Sequence, residues 1–569
     1  MNVNLNIEAK KKNTYDAIVV GSGISGGWAA KELTEKGLKV LVLDRGHDLE
    51  HVTGYTTALS APWELPHRGR LTTEQKASHP FLSRDYPYGE RNETFWFKDA
   101  DAPYTESKRF DWFRPNIVGG KSIMWGRQSY RWSDLDFEAN AKDGIAIDWP
   151  IRYKDIAPWY SYAEKFAGIS GEKLGLEQLP DGEFLPPMEM NCVELSVRKS
   201  IESKFKGRNL TMGRTANLTV PINGRGSCQY RNLCDRGCPF GAYFSTQSAT
   251  FPAAMATKKL TVRPNSLVTN IVYDETKSKA TGVKVIDTIS NEMMEFNAKI
   301  IFINGSTVSS TWIMLNSTSN RFPNGFGNDS GQLGHNLTDH HFRCGASGTA
   351  EGPEFDDKYY SGRRANGVYV PRYRNTNGEK RDYLRGFGYQ GGASRSGWQR
   401  LVSELGFGPG FKEKSTHPGP WSMGLGGFGE TLPYFENKMT LNKDKLDKWG
   451  QPTVHFDAEF RENEAKMRKD MMNDAAEMLE AAGMKNVKTN DGGCWPGMAI
   501  HELGTARMGK DPKTSVLNEW NQFHSVKNVF CTDGSCMTSA SCVNPSLTYM
   551  ALTARAANYA VEELKKHNL

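Results

Sequence analysis

The stretch that decides the fold runs from residue 15 to residue 45. It reads Tyr15-Asp-Ala-Ile-Val-Val20, then Gly21-Ser-Gly23-Ile-Ser25-Gly26, a helical stretch closed by Gly37, and Lys39-Val-Leu-Val-Leu43-Asp44-Arg45. A buried strand, a Gly-x-Gly-x-x-Gly turn, a helix, a second strand and an acid in this order are typical of a dinucleotide site. The glycines let the backbone approach a pyrophosphate, which the helix N-terminus then binds. The stretch predicts an α/β fold whose cofactor-binding residues include Gly21, Gly23, Ser25, Gly26, Asp44 and Arg45, with FAD and NAD both open at this point.

Length and composition bound the remaining possibilities. A chain of 569 residues is too long to fold around a single hydrophobic core, so two or three domains are expected. The net charge of +6 is a small excess of positive charge for a chain of this size, and the sequence has no dense cluster of Lys and Arg. Nucleic acid is therefore not expected as a partner. No apolar run is long enough to predict a membrane span, and the polar first fourteen residues predict no export signal of the chain's own.

Three of the nine cysteines lie close together in the segment 227–240. Cys228, Cys234 and Cys238 are separated by five and three residues, and Cys238 precedes a proline. Clustered thiolates of this kind hold iron–sulfur clusters. Structural zinc is the first alternative, but it takes four ligands, and no histidine lies between His79 and His335. Unligated core thiols are the second alternative, which the polar neighbours of the cysteines disfavour. We interpret Cys531, Cys536 and Cys542 as packing residues.

Several further motifs together resemble the glucose–methanol–choline (GMC) oxidoreductases. They are His501-Glu-Leu-Gly-Thr-Ala-Arg-Met-Gly509, Asp533-Gly534, Asn544-Pro545, Val118-Gly119-Gly120-Lys121-Ser122-Ile-Met-Trp125-Gly126, Gly334-His-Asn-Leu-Thr-Asp339-His340 and Asp148-Trp-Pro-Ile151. The resemblance spans nearly the whole chain and settles the cofactor expectation on FAD. It implies a Rossmann-like FAD-binding domain assembled from segments 1–55, 105–150, 210–345 and 490–569. A substrate-binding domain of sheet and helices takes 56–104, 151–209 and 346–489, and residues 461–482 carry helical periodicity that ends at Gly483.

The resemblance also assigns roles in the site. His501 corresponds to the catalytic base, because an imidazole near neutral pKa can take the proton of an alcohol. Asn544 corresponds to its partner on the same hydroxyl. FAD is expected without a covalent bond, since Met124 stands where related pyranose oxidases carry the linking histidine. We interpret His340 as structural. The cofactor contacts implied by the resemblance are Gly119, Gly120, Ser122, Gly126, Asp533, Gly534, Asn544 and Pro545.

Among GMC enzymes, the chain is most similar to the cluster-bearing large subunits of sugar dehydrogenases, the glucoside 3-dehydrogenases among them. That resemblance implies a [3Fe-4S] cluster on Cys228, Cys234 and Cys238, and oxidation of a secondary ring hydroxyl of a sugar or glycoside, with C3 of glucosides as the expected position. It implies a small subunit and a cytochrome or quinone acceptor, and either co-export to the periplasm or residence in the cytoplasm. The alternatives are an oxygen-using pyranose or alcohol oxidase and a non-catalytic flavin-fold subunit. Trp398, Trp421 and Tyr389 are candidate pocket aromatics.

Overall fold

The computed structural model describes residues 13–356, 364–376, 378–395 and 408–569. The predicted pocket residue Trp398 lies outside these ranges. The helices are α1 Ile24–Glu35, α2 Thr73–Ser78, α3 Asp134–Phe137, α4 Ala139–Asp143, α5 Tyr153–Ala167, α6 Cys192–Lys204, α7 Phe251–Ala256, α8 Thr307–Asn316, α9 Pro409–Ser415, α10 Glu462–Ala481 and α11 Ser546–Lys565. The strands are β1 Thr14–Val20, β2 Val40–Leu43, β3 Thr105–Glu106, β4 Thr211–Met212, β5 Leu260–Arg263, β6 Ser266–Asp274, β7 Lys279–Asp287, β8 Met293–Ile303, β9 His340–Ala350, β10 Val368–Val370, β11 Phe387–Arg395, β12 Trp421–Glu430, β13 Lys438–Leu446, β14 Pro452–Asp457, β15 Lys485–Asp491 and β16 Val529–Cys531.

A seven-stranded sheet forms around the glycine-rich stretch. Its order is β5-β2-β1-β8-β7-β6, and β16 also pairs with β8. The strands β5, β2, β1, β8 and β16 run parallel, while β6 and β7 form an antiparallel extension. β1 and β2 are short apolar runs that are buried at nearly every position, as strands covered on both faces are. Helices α1 and α11 pack against each other beside this sheet, whose parallel strands direct their carboxyl ends to one edge.

A six-stranded sheet, in the order β15-β9-β12-β11-β10-β4, forms the second layer of structure. Every strand pair in it is antiparallel. Helix α10 lies across it and buries Met467, Met471 and Met478 against the sheet. The strands β13, β14 and β3 form a separate small sheet. The expected α/β fold, with its second sheet covered by a helix, is thus confirmed.

The sheets also refine the proposed division of the chain. β9 crosses the expected boundary at residue 345, because the six-stranded sheet uses the strand over its full length. β4 lies in the expected FAD-binding segment 210–345, yet it pairs with β10 of the six-stranded sheet. The helix expected at 461–482 is α10, and Gly483 after it has a φ of +81°, which fits a glycine stop.

Cys531, Cys536 and Cys542 are all buried in the hydrophobic core near the end of the chain, as their interpretation as packing residues requires. Among the described residues, the helices are all too short or too polar to span a bilayer.

Candidate active site

One large cavity of about 820 Å³ connects most of the predicted site residues. It begins where β1 and β2 end and extends to the segments that carry His501 and Asn544. The predicted residues that line it are Gly21, Gly23, Ser25, Asp44, Arg45, Gly120, Gly126, His501, Asp533, Gly534 and Asn544. Gly26, Gly119, Ser122 and Pro545 do not line it, and the first three support the loops that do.

The glycine-rich turn leaves no room for side chains at two of its glycines. A Cβ atom at Gly21, where φ is +90°, would lie 2.3 Å from the carbonyl oxygen of Asn304. A Cβ atom at Gly26 would lie 1.9 Å from the carbonyl oxygen of Gly21. Gly23, in contrast, has open space where its side chain would be, and that space belongs to the cavity at the N-terminus of α1. The turn is therefore a cradle with the shape that a pyrophosphate group needs.

We expect the Gly26→Ala variant to lose its flavin and to be destabilised by roughly 1–3 kcal/mol, because the added methyl group overlaps the backbone of Gly21. Flavin absorbance per chain and thermal unfolding measure the two effects. Gly410→Ala is the control, since nothing lies within 4 Å of the Cβ position at Gly410. Full flavin content in Gly26→Ala would contradict this account of the turn.

Asp44 is fixed by the turn that precedes the helix. One carboxylate oxygen accepts hydrogen bonds from the backbone N–H of Ser22 at 2.8 Å and from the Ser22 hydroxyl at 2.5 Å. The other accepts from the N–H of Gly46 at 2.7 Å. The Ser22 hydroxyl oxygen in turn accepts from the N–H of Gly119 at 2.7 Å. Ser22, which sequence reasoning did not select, thus joins the glycine-rich turn and Asp44 to the loop at 119–126.

The loop at 119–126 is held from behind by a short hydroxyl network. Ser122 donates a hydrogen bond to the carbonyl oxygen of Gly119 at 2.6 Å and accepts one from the backbone N–H of Thr246 at 3.1 Å. The Thr246 hydroxyl donates to the carbonyl oxygen of Gly23 at 3.1 Å. Ser122 is fully buried, so its role is to shape this loop rather than to contact the cofactor.

Asp533 is held in place by two serines. Its carboxylate accepts hydrogen bonds from the Ser310 hydroxyl at 2.5 Å and from the Ser535 hydroxyl at 2.6 Å. Burial raises the pKa of Asp533 above its usual value. Ser310 lies on α8, 223 residues away in the chain, so local sequence carried no sign of this contact.

Arg45 is a cation that faces the cavity without an ion-pair partner among the described residues. Its guanidinium lies 4.0 Å from the centre of the Phe97 ring, and its buried Nε has no hydrogen-bond partner. Burial, followed by the charge of Arg114, lowers its pKa to about 10. An unpartnered buried donor and an open glycine cradle on one elongated cavity fit a bound dinucleotide such as FAD.

His501 lines the same cavity as the glycine-rich turn. Its ring is 5.0 Å from the ring of His340 and 5.6 Å from that of Phe428, measured between ring centres. Burial, then the neighbouring His340 and Lys121, lower the pKa of His501 well below its usual value. The imidazole is therefore neutral at neutral pH and is able to accept a proton. His340 is fully buried and does not line the cavity, which fits a packing role.

Asn544 is oriented by the six-stranded sheet. Its side-chain oxygen accepts a hydrogen bond from Nε2 of Gln390, which lies on β11, at 2.8 Å. The Asn544 amide nitrogen is consequently the group left to donate into the cavity. Gln390 was missed by sequence reasoning because it comes from a strand 154 residues earlier.

Lys121 and Glu502 form an ion pair at the cavity wall, with Nζ and Oε2 3.0 Å apart. Both residues lie inside motifs quoted above, Lys121 beside the loop glycines and Glu502 beside His501. The ion pair therefore joins the loop at 119–126 to the segment that carries His501, and neither motif alone predicts this contact.

The cysteine segment lies against the same cavity, and Cys234 lines it. All three predicted ligands, Cys228, Cys234 and Cys238, are half-buried and unpaired by disulfides. Burial, and to a lesser extent the charge of neighbouring cysteines, raises the pKa of the Cys228 and Cys238 thiols.

An iron–sulfur cluster is predicted for these cysteines, with a zinc ion as the alternative. Thiolates on a single tetrahedral zinc lie about 3.8 Å apart, given Zn–S bonds near 2.3 Å. In the described part of the chain, three ligand atoms all within 4.8 Å of one another occur at Asp339, His340 and His501, and not at the three cysteines. The cluster on Cys228, Cys234 and Cys238 therefore stays a prediction.

Two predicted pocket aromatics lie elsewhere. Tyr389 is buried in the six-stranded sheet, where its hydroxyl donates to the carbonyl oxygen of Met471 at 2.8 Å. Trp421 is buried in the same hydrophobic cluster. Side chains along a strand point alternately to the two faces of the sheet. The presence of aromatic residues in the sequence does not tell which of them point toward the cavity. The aromatic residues that do line the cavity include Tyr86, Trp112, Trp125, Phe342 and Phe428.

Known proteins resemble this chain over nearly its whole length. It is 28% identical to a 2-methyl-1,2-propanediol dehydrogenase of Mycolicibacterium austroafricanum, over 96% of this chain and 94% of that protein. It is 25% identical to the fructose dehydrogenase large subunit of Gluconobacter japonicus, over 97% of this chain and 98% of that one. Among solved structures, pyridoxine 4-oxidase from Mesorbium loti superposes with a TM-score of 0.59 at 16% identity, over 96% and 98% of the two chains.

Family profiles agree with the geometry of the site. Residues 15–342 and 433–553 match the two profiles described as GMC oxidoreductase. The first match covers the glycine-rich turn and the loop at 119–126, and the second covers His501, Asp533 and Asn544. The chain therefore belongs to the GMC oxidoreductase family.

Proposed function

We propose that this protein oxidises a secondary ring hydroxyl of a sugar or glycoside and passes the electrons through a [3Fe-4S] cluster to an external acceptor. The family itself gives the coarser statement that the chain is an FAD-dependent oxidoreductase acting on CH–OH groups. The observation that supports the proposal best is one cavity that holds a dinucleotide cradle, a neutral histidine and an oriented amide, with a cysteine in its wall.

The chain's own residues account for the handling of the alcohol proton. Bound FAD supplies the acceptor for the hydride that leaves the carbon. His501 is neutral, so its lone pair is available for the hydroxyl proton. Asn544, whose oxygen is occupied by Gln390, donates from its nitrogen to the hydroxyl oxygen and holds it toward the base. Phe428, whose ring centre is 5.6 Å from that of His501, and Phe342 line the cavity with apolar surface.

The cysteine segment supports the dehydrogenase over the oxidase alternative. Cys228, Cys234 and Cys238 would hold the cluster, which would supply a one-electron carrier beside the cavity. The Tyr243 hydroxyl donates a hydrogen bond to the carbonyl oxygen of Ile123 and lies 3.2 Å from that of Cys234. The loop that faces the flavin site and the cysteine segment are thereby joined through one buried side chain.

A separate electron-accepting subunit is part of the proposal. The fructose dehydrogenase relative is a large subunit, which supports a small-subunit partner here. The cysteine segment also reaches the outer surface, where Phe240 is exposed. In the same segment, Arg231 donates a hydrogen bond to the carbonyl oxygen of Ala58 at 2.7 Å. The side chains of Leu59 and Trp63, which follow Ala58, are exposed as well. An apolar surface beside the cysteines suits a protein acceptor.

We expect methyl glucosides to be oxidised at C3, giving 3-keto glycosides, when a dye serves as acceptor. The aromatic and polar cavity wall suits a pyranose ring better than a simple aliphatic alcohol. A panel of glucose, gluconate, fructose, methyl glucosides and 2-methyl-1,2-propanediol, with product identification by NMR, measures this. A methyl glucoside has no free anomeric hydroxyl, so its turnover excludes oxidation at C1. Turnover of the aliphatic diol alone would overturn the sugar assignment.

Peroxide formation separates the remaining alternatives in the same assay. Dye or quinone reduction that far outpaces peroxide formation in air supports the dehydrogenase. Peroxide that forms in step with product would instead indicate an oxidase. A preparation whose flavin is bleached by no member of the panel would favour the non-catalytic subunit.

A further inference from the structure

Two motifs that are distant in sequence form one short antiparallel unit beside the cavity. The segment 334–340 runs against the segment 499–507. Thr338 and Leu503 exchange both backbone hydrogen bonds, at 3.0 and 2.9 Å. Further along, the N–H of Gly334 donates to the carbonyl oxygen of Thr505 at 2.8 Å. This pairing places the side chain of Asp339 under the chain that leads into His501.

The Asp339 carboxylate bonds the backbone on both sides of a single residue. Its Oδ2 accepts from the N–H of Ala499 and its Oδ1 from the N–H of His501, each at 3.1 Å. The side chain is only 1% exposed, so water does not replace these contacts. One carboxylate thus spans Ile500 as a clamp.

Ile500 has a backbone conformation that its side chain disfavours. Its φ is +64°, in the left-handed region, where a β-branched residue is a genuine outlier. Ile500 and the residues on either side of it all line the cavity. Strained residues of this kind persist only where surrounding contacts hold them. Here the Ile500 N–H donates to the carbonyl oxygen of Gly497 at 3.0 Å, and the N–H groups on either side of Ile500 donate to Asp339.

We propose that Asp339 is a positioning residue that holds Ile500 in its left-handed conformation and so presents the His501 imidazole to the substrate hydroxyl. The inference rests on the proposed role of His501 as the base. It assigns Asp339 a task in catalysis without contact to substrate or cofactor.

A purely structural role for Asp339 predicts something different. The Thr338–Leu503 pair and the hydrogen bond from Arg507 to the Asn336 side chain, at 3.0 Å, hold the two segments together independently of Asp339. Loss of the carboxylate should therefore release the turn at Ile500 while the rest of the unit stays paired. We therefore expect loss of the Asp339 carboxylate to slow removal of the hydroxyl proton and to leave flavin binding unchanged.

The test is a double-mutant cycle between Asp339→Asn and Ile500→Gly, read out as the anaerobic rate of flavin reduction by substrate. Asparagine offers one oxygen and one donor, so it can accept only one of the two N–H groups. We expect Asp339→Asn to slow flavin reduction by roughly ten- to a hundred-fold, the usual effect of a slightly misplaced catalytic group. Flavin content and the substrate dissociation constant should stay near the wild-type values.

The Ile500→Gly background provides the decisive comparison. Glycine adopts a positive φ without strain, so the turn no longer needs the clamp. Asp339→Asn should then cost no more than roughly threefold relative to Ile500→Gly alone, a clear coupling between the two positions. Equal losses in both backgrounds would overturn the proposal, as would a wild-type rate in Asp339→Asn.

Glu464→Gln is the matched control, because the buried Glu464 also accepts one backbone N–H at each carboxylate oxygen, from Leu432 and Arg461, but does not line the cavity. It should leave the flavin reduction rate unchanged. His501→Ala measured in parallel separates the two possible failures. If flavin reduction is slow in His501→Ala but occurs at the wild-type rate in Asp339→Asn, only the role of Asp339 is refuted. If His501→Ala reduces its flavin at the wild-type rate, the role of His501 as the base is refuted, and the role of Asp339 with it.

Discussion

The His501→Ala variant should reduce its flavin at least roughly a hundred-fold more slowly than the wild-type enzyme, because it lacks the group that takes the hydroxyl proton. Flavin content and substrate binding should change much less, since the substitution leaves the glycine-rich turn and Asp44 intact. Stopped-flow measurement of flavin bleaching under anaerobic conditions gives the rate directly. A variant that bleaches at the wild-type rate would remove His501 from the mechanism.

The pH dependence of the same step follows from the burial of the base. The pKa of His501 lies well below its usual value, so the imidazole stays neutral as the pH falls through the ordinary range of histidine. The rate of flavin reduction in the wild-type enzyme should accordingly stay level from about pH 8 down through about pH 6.5, and fall only at more acidic pH. A decline centred on the ordinary histidine pKa would show that the base is solvated in the working enzyme.

The Cys234→Ser variant should lose most of its iron while it keeps its flavin. The wild-type protein, purified anaerobically, should contain about three iron atoms per chain, as a [3Fe-4S] cluster requires. A serine hydroxyl is a poor substitute for a thiolate, and Cys234 lies at the cavity wall between its two partners in the chain. Metal analysis measures the iron content, flavin absorbance measures the flavin content, and electron paramagnetic resonance measures the cluster.

Cys536→Ser is the control for this experiment, because Cys536 is fully buried in the hydrophobic core away from the cysteine segment. Its iron content should equal that of the wild-type protein. Zinc at one ion per chain with no iron, or full iron in Cys234→Ser, would refute the cluster. Electron transfer to the dye should fall with the iron while flavin reduction by substrate continues.

Local patterns were sufficient for the cofactor half of the fold. The glycine-rich turn, its flanking strands and Asp44 are contiguous, and their hydrogen bonds connect residues that the motif itself contains or adjoins. Ser22 escaped notice because the motif leaves its position variable, although its hydroxyl joins two loops.

The remainder of the site depends on contacts that no single motif contains. Gln390 reaches Asn544 from β11, Ser310 reaches Asp533 from α8, and Asp339 reaches the turn before His501. Each pair is separated by more than a hundred residues, so a single sequence gives no sign of it. The direction of the Tyr389 side chain was missed for a related reason. Tyr389 points toward α10, and the sequence does not show which side of the six-stranded sheet α10 covers.

The hydrogen bond from Gln390 to Asn544 has a consequence for protein engineering. Asn544, one of the two proposed catalytic residues, takes its orientation from the six-stranded sheet, whereas the glycine-rich turn belongs to the seven-stranded sheet. The two halves of this enzyme are therefore not interchangeable modules. A chimera that takes residues 346–489 from a relative to change substrate range inherits the chemistry only if position 390 still donates to Asn544. Relatives that could supply this segment should therefore be screened first for a hydrogen-bond donor at position 390.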